Sequence, residues 1–230
     1  MWLIAEYLPT ALFSLRMSNA TNAAAKTLLL PSPYCVKMTL LDASFRRDGV
    51  EATKPRFEWI KPLEVRVEPP AHAVVNGCFV KIQKYDPDKK RFIDAFALRE
   101  YVAYDGNLRL AFRVADLSQS ERDVLSGLLL QINQLGKRGC FVQLVAPPKQ
   151  QEKLPPSFAT PITASVGMSQ AALLQPLDDM QPNATLPQID AFSDTRVSQR
   201  DLIRRNVPTL VPYQRRETSK GFTYYERRDQ

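Results

Sequence analysis

Apolar positions recur along this chain with two different periods, and the switches between them mark out its elements. Residues 2–16 are largely apolar, and Phe13 and Leu15 alternate with Ser14 and Arg16. Alternation of this kind predicts a strand, or two strands with a break at Pro9. The next stretch, MSNATNAAAKTLLLP, is small and polar before it turns apolar, and reads as a loop over 17–31. From Ser32 the period becomes helical. Val36, Leu40 and Ala43 form one stripe, and Met38, Leu41 and Phe45 form the next. Ser32 suits an N-cap and Pro33 the first helical position. Apolar groups on most sides predict a helix buried against a sheet. Arg46 and Arg47 would close its last turn, where cations suit the negative end of the helix dipole.

Strand patterns return after this helix. PLEVRVEPP alternates Leu63, Val65 and Val67 with charge, and residues 79–104 read as a long hairpin turning at DPDKK. After the turn signal DGN, LRLAFRV alternates Leu108, Leu110, Phe112 and Val114 with Arg109 and Arg113. Residues 118–135 carry the clearest helix. Ser118 and Glu121 make a capping box, Leu125, Leu128, Leu129 and Ile132 make one stripe, and Gly136 would supply a left-handed stop. CFVQLVAPP then reads as a strand ended by two prolines. In order, residues 1–146 spell βαββαβ with an enlarged middle, an α+β chain on the ferredoxin-like or RRM-like plan.

Composition changes beyond residue 146. Residues 147–195 hold 8 of the 18 prolines, few aromatics and more acid than base, which predicts a Pro-rich linker or irregular arm without its own core. In 196–230 nine Arg or Lys face four Asp or Glu, and GFTYYERR could be a strand returning to the sheet.

Charge and rare residues narrow the chemistry. The 230 residues are 44% hydrophobic, enough for a core, with 31 Lys and Arg against 24 Asp and Glu. The resulting +7 suits an RNA or DNA partner. Cys35, Cys78 and Cys140 are far apart with no C-x-x-C pair, and His72 is the single histidine. Neither a metal site nor a Ser-His-Asp triad is expected, and no cofactor. No Walker loop, G-x-S-x-G or paired-carboxylate signature is present. No apolar run reaches membrane-helix length and the start has no basic leader, so a cytoplasmic protein with no membrane partner is expected.

The cationic candidates have two readings each. In QINQLGKRGCFVQLV, Lys137 and Arg138 lie between two glycines, as a helix stop with dipole-matched bases or as a loop holding phosphate. Arg16 and Lys26 flank the loop after the first strand, and Arg46 and Arg47 follow the first helix; all four are either solvated or on phosphate. Phe13 and Tyr34 stack on bases or belong to the core. Arg204, Arg205, Arg215 and Arg216 form either a solvated face or a strip along RNA or DNA.

Three stretches, YLPTALFSLR, LLLPSPYCVKMTLLDAS and INQLGKRGCFVQLV, carry a resemblance to the RAMP superfamily of CRISPR-associated proteins. Within it the chain is most similar to the Cas-five family. The resemblance covers 1–146 as an order of elements, and the tail more loosely. It implies an RRM-like domain that grips the 5′ handle of a guide RNA (crRNA) in a type I (Cascade) complex, without catalysis. It places GKRG near the RNA backbone, and makes the 17–31 loop or the hairpin around 86–91 a protrusion for the first backbone subunit. The implied partners are crRNA, the backbone RAMP subunit and the large subunit, with target DNA as a further candidate. Some family members cut precursor RNA themselves without metal. For this chain that alternative would rest on His72 with Tyr34 or Lys37. A basic ferredoxin-like structural protein without an RNA role is the third reading.

Overall fold

A computed structural model describes residues 1–18, 20, 24–162, 172–190 and 203–228. The apolar alternation at the start gives β1 (Trp2–Pro9), with Leu3, Ala5 and Tyr7 turned into the core. β1 is central. It pairs antiparallel with β6 (Leu108–Arg113) on one side and β7 (Val142–Gln151) on the other. β3 (Val65–Glu68) pairs with the far edge of β6, so the order is β3-β6-β1-β7. Helices α1 (Pro33–Ile60) and α2 (Gln119–Leu129) bury Val36, Leu40, Leu125 and Leu128 in one cluster with Leu3 and Tyr7. The whole is a mixed α/β fold with mostly antiparallel sheets.

Both helix starts follow their sequence signals. Ser32 Oγ accepts from the Cys35 amide at 3.2 Å, and Ser118 and Glu121 cap each other reciprocally. Both helix ends differ from expectation. α1 does not finish at Arg47: Gly49, with φ +79°, kinks the helix, and a second segment runs to Ile60 with Pro55 inside. That conformation is open to glycine at little cost. Thr53 Oγ1 donates to Gly49 O at 2.8 Å and meets Ser44 Oγ at 2.7 Å, which ties the two segments together. α2 stops at Leu129, seven residues before Gly136. There the buried hydroxyl of Tyr7 donates to Leu129 O at 2.8 Å, capping the helix from the central strand. Tyr7→Phe should cost about 1 kcal/mol of unfolding free energy in a urea titration, with the fold retained.

A second sheet carries the order β11-β12-β4-β5-β2. β4 (His72–Asp86) and β5 (Arg91–Asp105) form the expected hairpin, longer than its pattern suggested. β12 (Phe222–Arg227) is the returning strand, and it enters this sheet between β11 (Tyr213–Thr218) and β4; β2 (Ala24–Ala25) adds in parallel to β5. Buried Glu68 of β3 receives Arg109 of β6 and, at 3.4 Å, Arg227 of β12, which links the two sheets.

The expectation of a coreless arm over 147–195 needs correction. β7 continues through Pro147 and Pro148, which sit opposite Ala5 at a register shift on an edge strand. Proline is tolerated there because no ladder N–H is needed. β9 (Leu173–Met180) pairs with β10 (Arg204–Val211), and β8 (Thr160–Pro161) completes a three-stranded sheet against α1. Phe158, Ala159, Leu177, Met180 and Ala184 are buried. The segment has few apolar residues, but these occupy the contact positions. A short helix, α3 (Leu186–Ile189), follows β9; residues 163–171 and 191–202 lie outside the described part, as do 19 and 21–23 of the expected 17–31 loop.

Candidate nucleic-acid interface

The chain leaving β1 turns back on itself. Phe13 N–H donates to Val102 O at 2.8 Å, Leu28 N–H to Leu15 O at 2.7 Å, and Met17 N–H to Lys26 O at 3.1 Å. These bonds place Arg16 and Lys26 together on the surface, both exposed. Arg16 Nη2 donates to Ala20 O at 2.5 Å.

GKRG forms the tip of a tight loop rather than a helix stop. Leu135 N–H donates to Cys140 O at 3.0 Å and Cys140 N–H to Lys137 O at 3.1 Å, with a bridge between Gln134 and Phe141. Gly136 and Gly139 have φ of +74° and +96°, a region that favours glycine at both ends of the turn. Gly136 also lies so close to α1 that a Cβ there would stand 2.7 Å from Cys35 Sγ. Lys137 and Arg138 are exposed, and neither has an ion pair among the described residues.

This close approach makes one wall of a groove of about 540 Å³. Arg16, Tyr34, Gly136 and Lys137 line it, as do Asp178 of β9 and Arg204 of β10. The Arg204 guanidinium stands 4.1 Å from the centre of the Tyr34 ring and 3.7 Å from the Asp178 carboxylate. Its Nε is buried without a hydrogen-bond partner among the described residues. Arg204 and Asp178 come from segments read as tail and linker. Both lie more than 140 residues from Tyr34, so no local spacing announces them.

The other expected RNA contacts fall elsewhere. Phe13 has no exposed surface and packs edge-on to Tyr104 at 5.2 Å; it belongs to the core. Tyr34 is 7% exposed, and its ring carries Arg204 instead of a base. Arg46 pairs with Asp42 at 2.9 Å and reaches Gln131 O, while Arg47 pairs with Asp48 at 2.8 Å. Neither lines the groove.

His72, Tyr34 and Lys37 have three different settings. His72 Nδ1 meets the Tyr224 hydroxyl at 2.8 Å on the second sheet. Lys37 is 1% exposed and donates to Asp179 at 2.6 Å and Lys61 O at 2.9 Å. Burial pushes its ammonium pKa down, against the opposing pull of Asp179. Neither His72 nor Lys37 lines the groove.

The β4–β5 hairpin carries a separate feature. Phe79 and Phe96 are 81% and 75% exposed, and Tyr85 and Phe92 meet edge-on at 5.5 Å. The register puts Phe79 opposite Leu98, Lys81 opposite Phe96 and Tyr85 opposite Phe92. The four aromatics therefore share one face, on the side that buries Ala73 and Val102 nearer the body.

No family model matches the chain. CRISPR-associated protein Cas5 of Archaeoglobus fulgidus is 24% identical over 191 residues, which cover 79% of this chain and 80% of that protein. A crystal structure of a CRISPR protein from Archaeoglobus fulgidus superposes with a TM-score of 0.52 and 11% identity, covering 99% of this chain and 92% of that one. A chain of a CRISPR RNA-guided surveillance complex gives 0.47 and 18% identity over 92% and 91%. The chain is thus a homologue of one CRISPR-associated Cas5 protein, similar in sequence along about four-fifths of both chains, and it shares the fold of a solved CRISPR protein.

Proposed function

We propose that this chain is an RNA-binding subunit of a CRISPR effector complex, holding the 5′ handle of the guide RNA and acting without catalysis. The groove carries the reading. Arg16, Lys137 and Arg204 converge there with the carboxylate of Asp178, and Lys26 and Arg138 lie exposed near these residues in sequence. Phosphate contacts supply most of the affinity for a nucleic acid, and unstacked bases supply recognition. In this reading β1, α1, β3, β6, α2 and β7 are the βαββαβ frame of an RRM-like RAMP domain, with β4 and β5 as its insertion. The aromatic face of the hairpin docks a neighbouring backbone subunit, because large exposed aromatics on one face suit a buried interface. The large subunit and target DNA complete the set of partners, in the cytoplasm. The Cas5 name of the relative and the +7 charge support the same reading.

The test is to tag the protein, express it beside its genomic neighbours, and sequence the RNA that co-purifies. A uniform repeat-derived 5′ end with stoichiometric partner subunits is expected. No RNA and no partners would overturn the reading, and cleavage of repeat RNA by the purified chain would overturn its non-catalytic part. Lys137→Ala with Arg138→Ala should weaken RNA binding uniformly across sequences. It should also lower the slope of log affinity against log salt by roughly 0.7 for each phosphate that the protein no longer neutralises.

A further inference from the structure

We infer that the groove receives one unstacked nucleotide of the bound RNA, with Arg204 holding its phosphate and Asp178 reading an exocyclic amine on its base. This rests on the RNA-binding reading above and assigns the groove a ligand and a base preference.

The volume is the first argument. About 540 Å³ falls within the range of pockets that enclose a small organic ligand. Chemistry divides the groove into two parts. Arg16, Lys137 and Arg204 bring three cations. Leu28, Met38, Ile189 and Ile203 bring an aliphatic wall of a kind that suits the flat face of a base. An extended duplex does not fit such a division, whereas a single nucleotide with its phosphate outward does.

Arg204 is oriented for this. Stacking on Tyr34 fixes the plane of its guanidinium, and Asp178 at 3.7 Å holds it without a close hydrogen bond. The side chain is 33% exposed although its Nε is buried, so the terminal guanidinium nitrogens are the ones that meet a phosphate oxygen.

Asp178 gives the base preference. Its side chain is 11% exposed and lines the groove, and its partner among the described residues is the distant Arg204 guanidinium. A carboxylate only accepts hydrogen bonds. It accepts from the 4-amino group of cytosine, as acidic side chains do in base recognition, and it repels the 4-oxygen of uracil. Cytosine and uracil have nearly the same size but differ at N3 as well as at the 4-position, so the Asp178→Asn variant is what ties a preference to this side chain.

The experiment uses the full-length protein and labelled single-stranded oligo(C) and oligo(U) RNAs of equal length, with affinity read by fluorescence anisotropy. The native chain should favour oligo(C) by roughly fivefold or more. Asp178→Asn, whose amide can donate to a carbonyl, should narrow or reverse that preference. Arg204→Gln should weaken both RNAs alike by roughly tenfold, and Arg204→Lys, which keeps the charge but not the fork, should recover only part. Thermal melts of each variant confirm that the fold is kept. Equal binding of both RNAs by the native chain and by Asp178→Asn overturns the inference while RNA binding stands. Absence of binding to either RNA, together with no co-purifying RNA, overturns the RNA-binding reading itself.

Discussion

Asp179→Ala should lower the unfolding free energy by about 3–5 kcal/mol, because it strands a buried ammonium. Lys37 projects from α1 into the interior, where it is 1% exposed. Asp179 meets it at 2.6 Å, accepts from its neighbour's amide at 2.8 Å, and receives Arg205 Nη2 at 2.9 Å. Arg205 is half exposed and can turn to water once its partner is gone, whereas Lys37 cannot. The double variant Lys37→Met with Asp179→Leu removes both charges and fills similar volume. It should recover most of the loss. Urea midpoints of the two variants decide the matter. A loss under about 1 kcal/mol for Asp179→Ala would show that Lys37 reaches solvent or sheds its proton at little cost. The same pair locates the three-stranded sheet on α1, so Asp179→Ala should also loosen the adjoining Asp178 and Arg204.

Alkaline pH should weaken the fold progressively from about pH 9. Burial pushes the Cys35 thiol up to about 12 from 9.0, with Cys140 adding to the rise and Arg204 opposing it. Burial likewise raises Cys140, and raises the phenols of Tyr7, Tyr104, Tyr213 and Tyr225 above 10.0. In the unfolded chain thiols lose their protons near 9 and phenols near 10, while the folded chain keeps them. The native state then binds more protons, so stability is complete below pH 9 and falls as pH rises. Each such group removes about 1.4 kcal/mol per pH unit within its window. Lys37 works in the other direction, because its lowered pKa makes stability rise with pH up to 10.5. One group opposes six, so guanidinium midpoints should fall between about pH 8.5 and 10.5; a constant midpoint would contradict this account.

The parts of the fold that sequence makes legible are those written in local chemistry. Ser32 and Pro33 announce the start of α1, Ser118 and Glu121 that of α2, and the alternation around Leu110 the strand β6. The second segment of α1 is illegible because RRDG reads as an ending, whereas the contacts of Thr53 and Arg56 with Ser44 join the two segments across Gly49. Gly136 is a special position, but for another element than its sequence setting suggests: its positive φ serves a turn packed on Cys35, not the end of α2. β9 is hidden by proline content, because a composition count does not register that Leu177 and Met180 are buried and that Asp179 between them pairs with Lys37 of α1. Of the expected RNA contacts, Arg16, Tyr34 and Lys137 meet in one groove, while Phe13, Arg46 and Arg47 do not. The groove's other wall, Asp178 and Arg204, depends on tertiary pairing of β9 with β10, which no window of the sequence contains.

The position of β12 has a consequence during synthesis. Until Phe222–Arg227 is available, one edge of β4 has no pairing partner, although β5 can close the other edge at once. Residues 87–227 must be translated in the meantime, which at about 5–20 residues per second takes on the order of 10 s. For that time the nascent chain exposes an unpaired edge that carries Val74 and Val75 in its inner half. Slow translation or crowded ribosomes should therefore favour aggregation of this protein, and a chaperone or an early-binding partner that covers β4 should raise its yield without altering the finished fold.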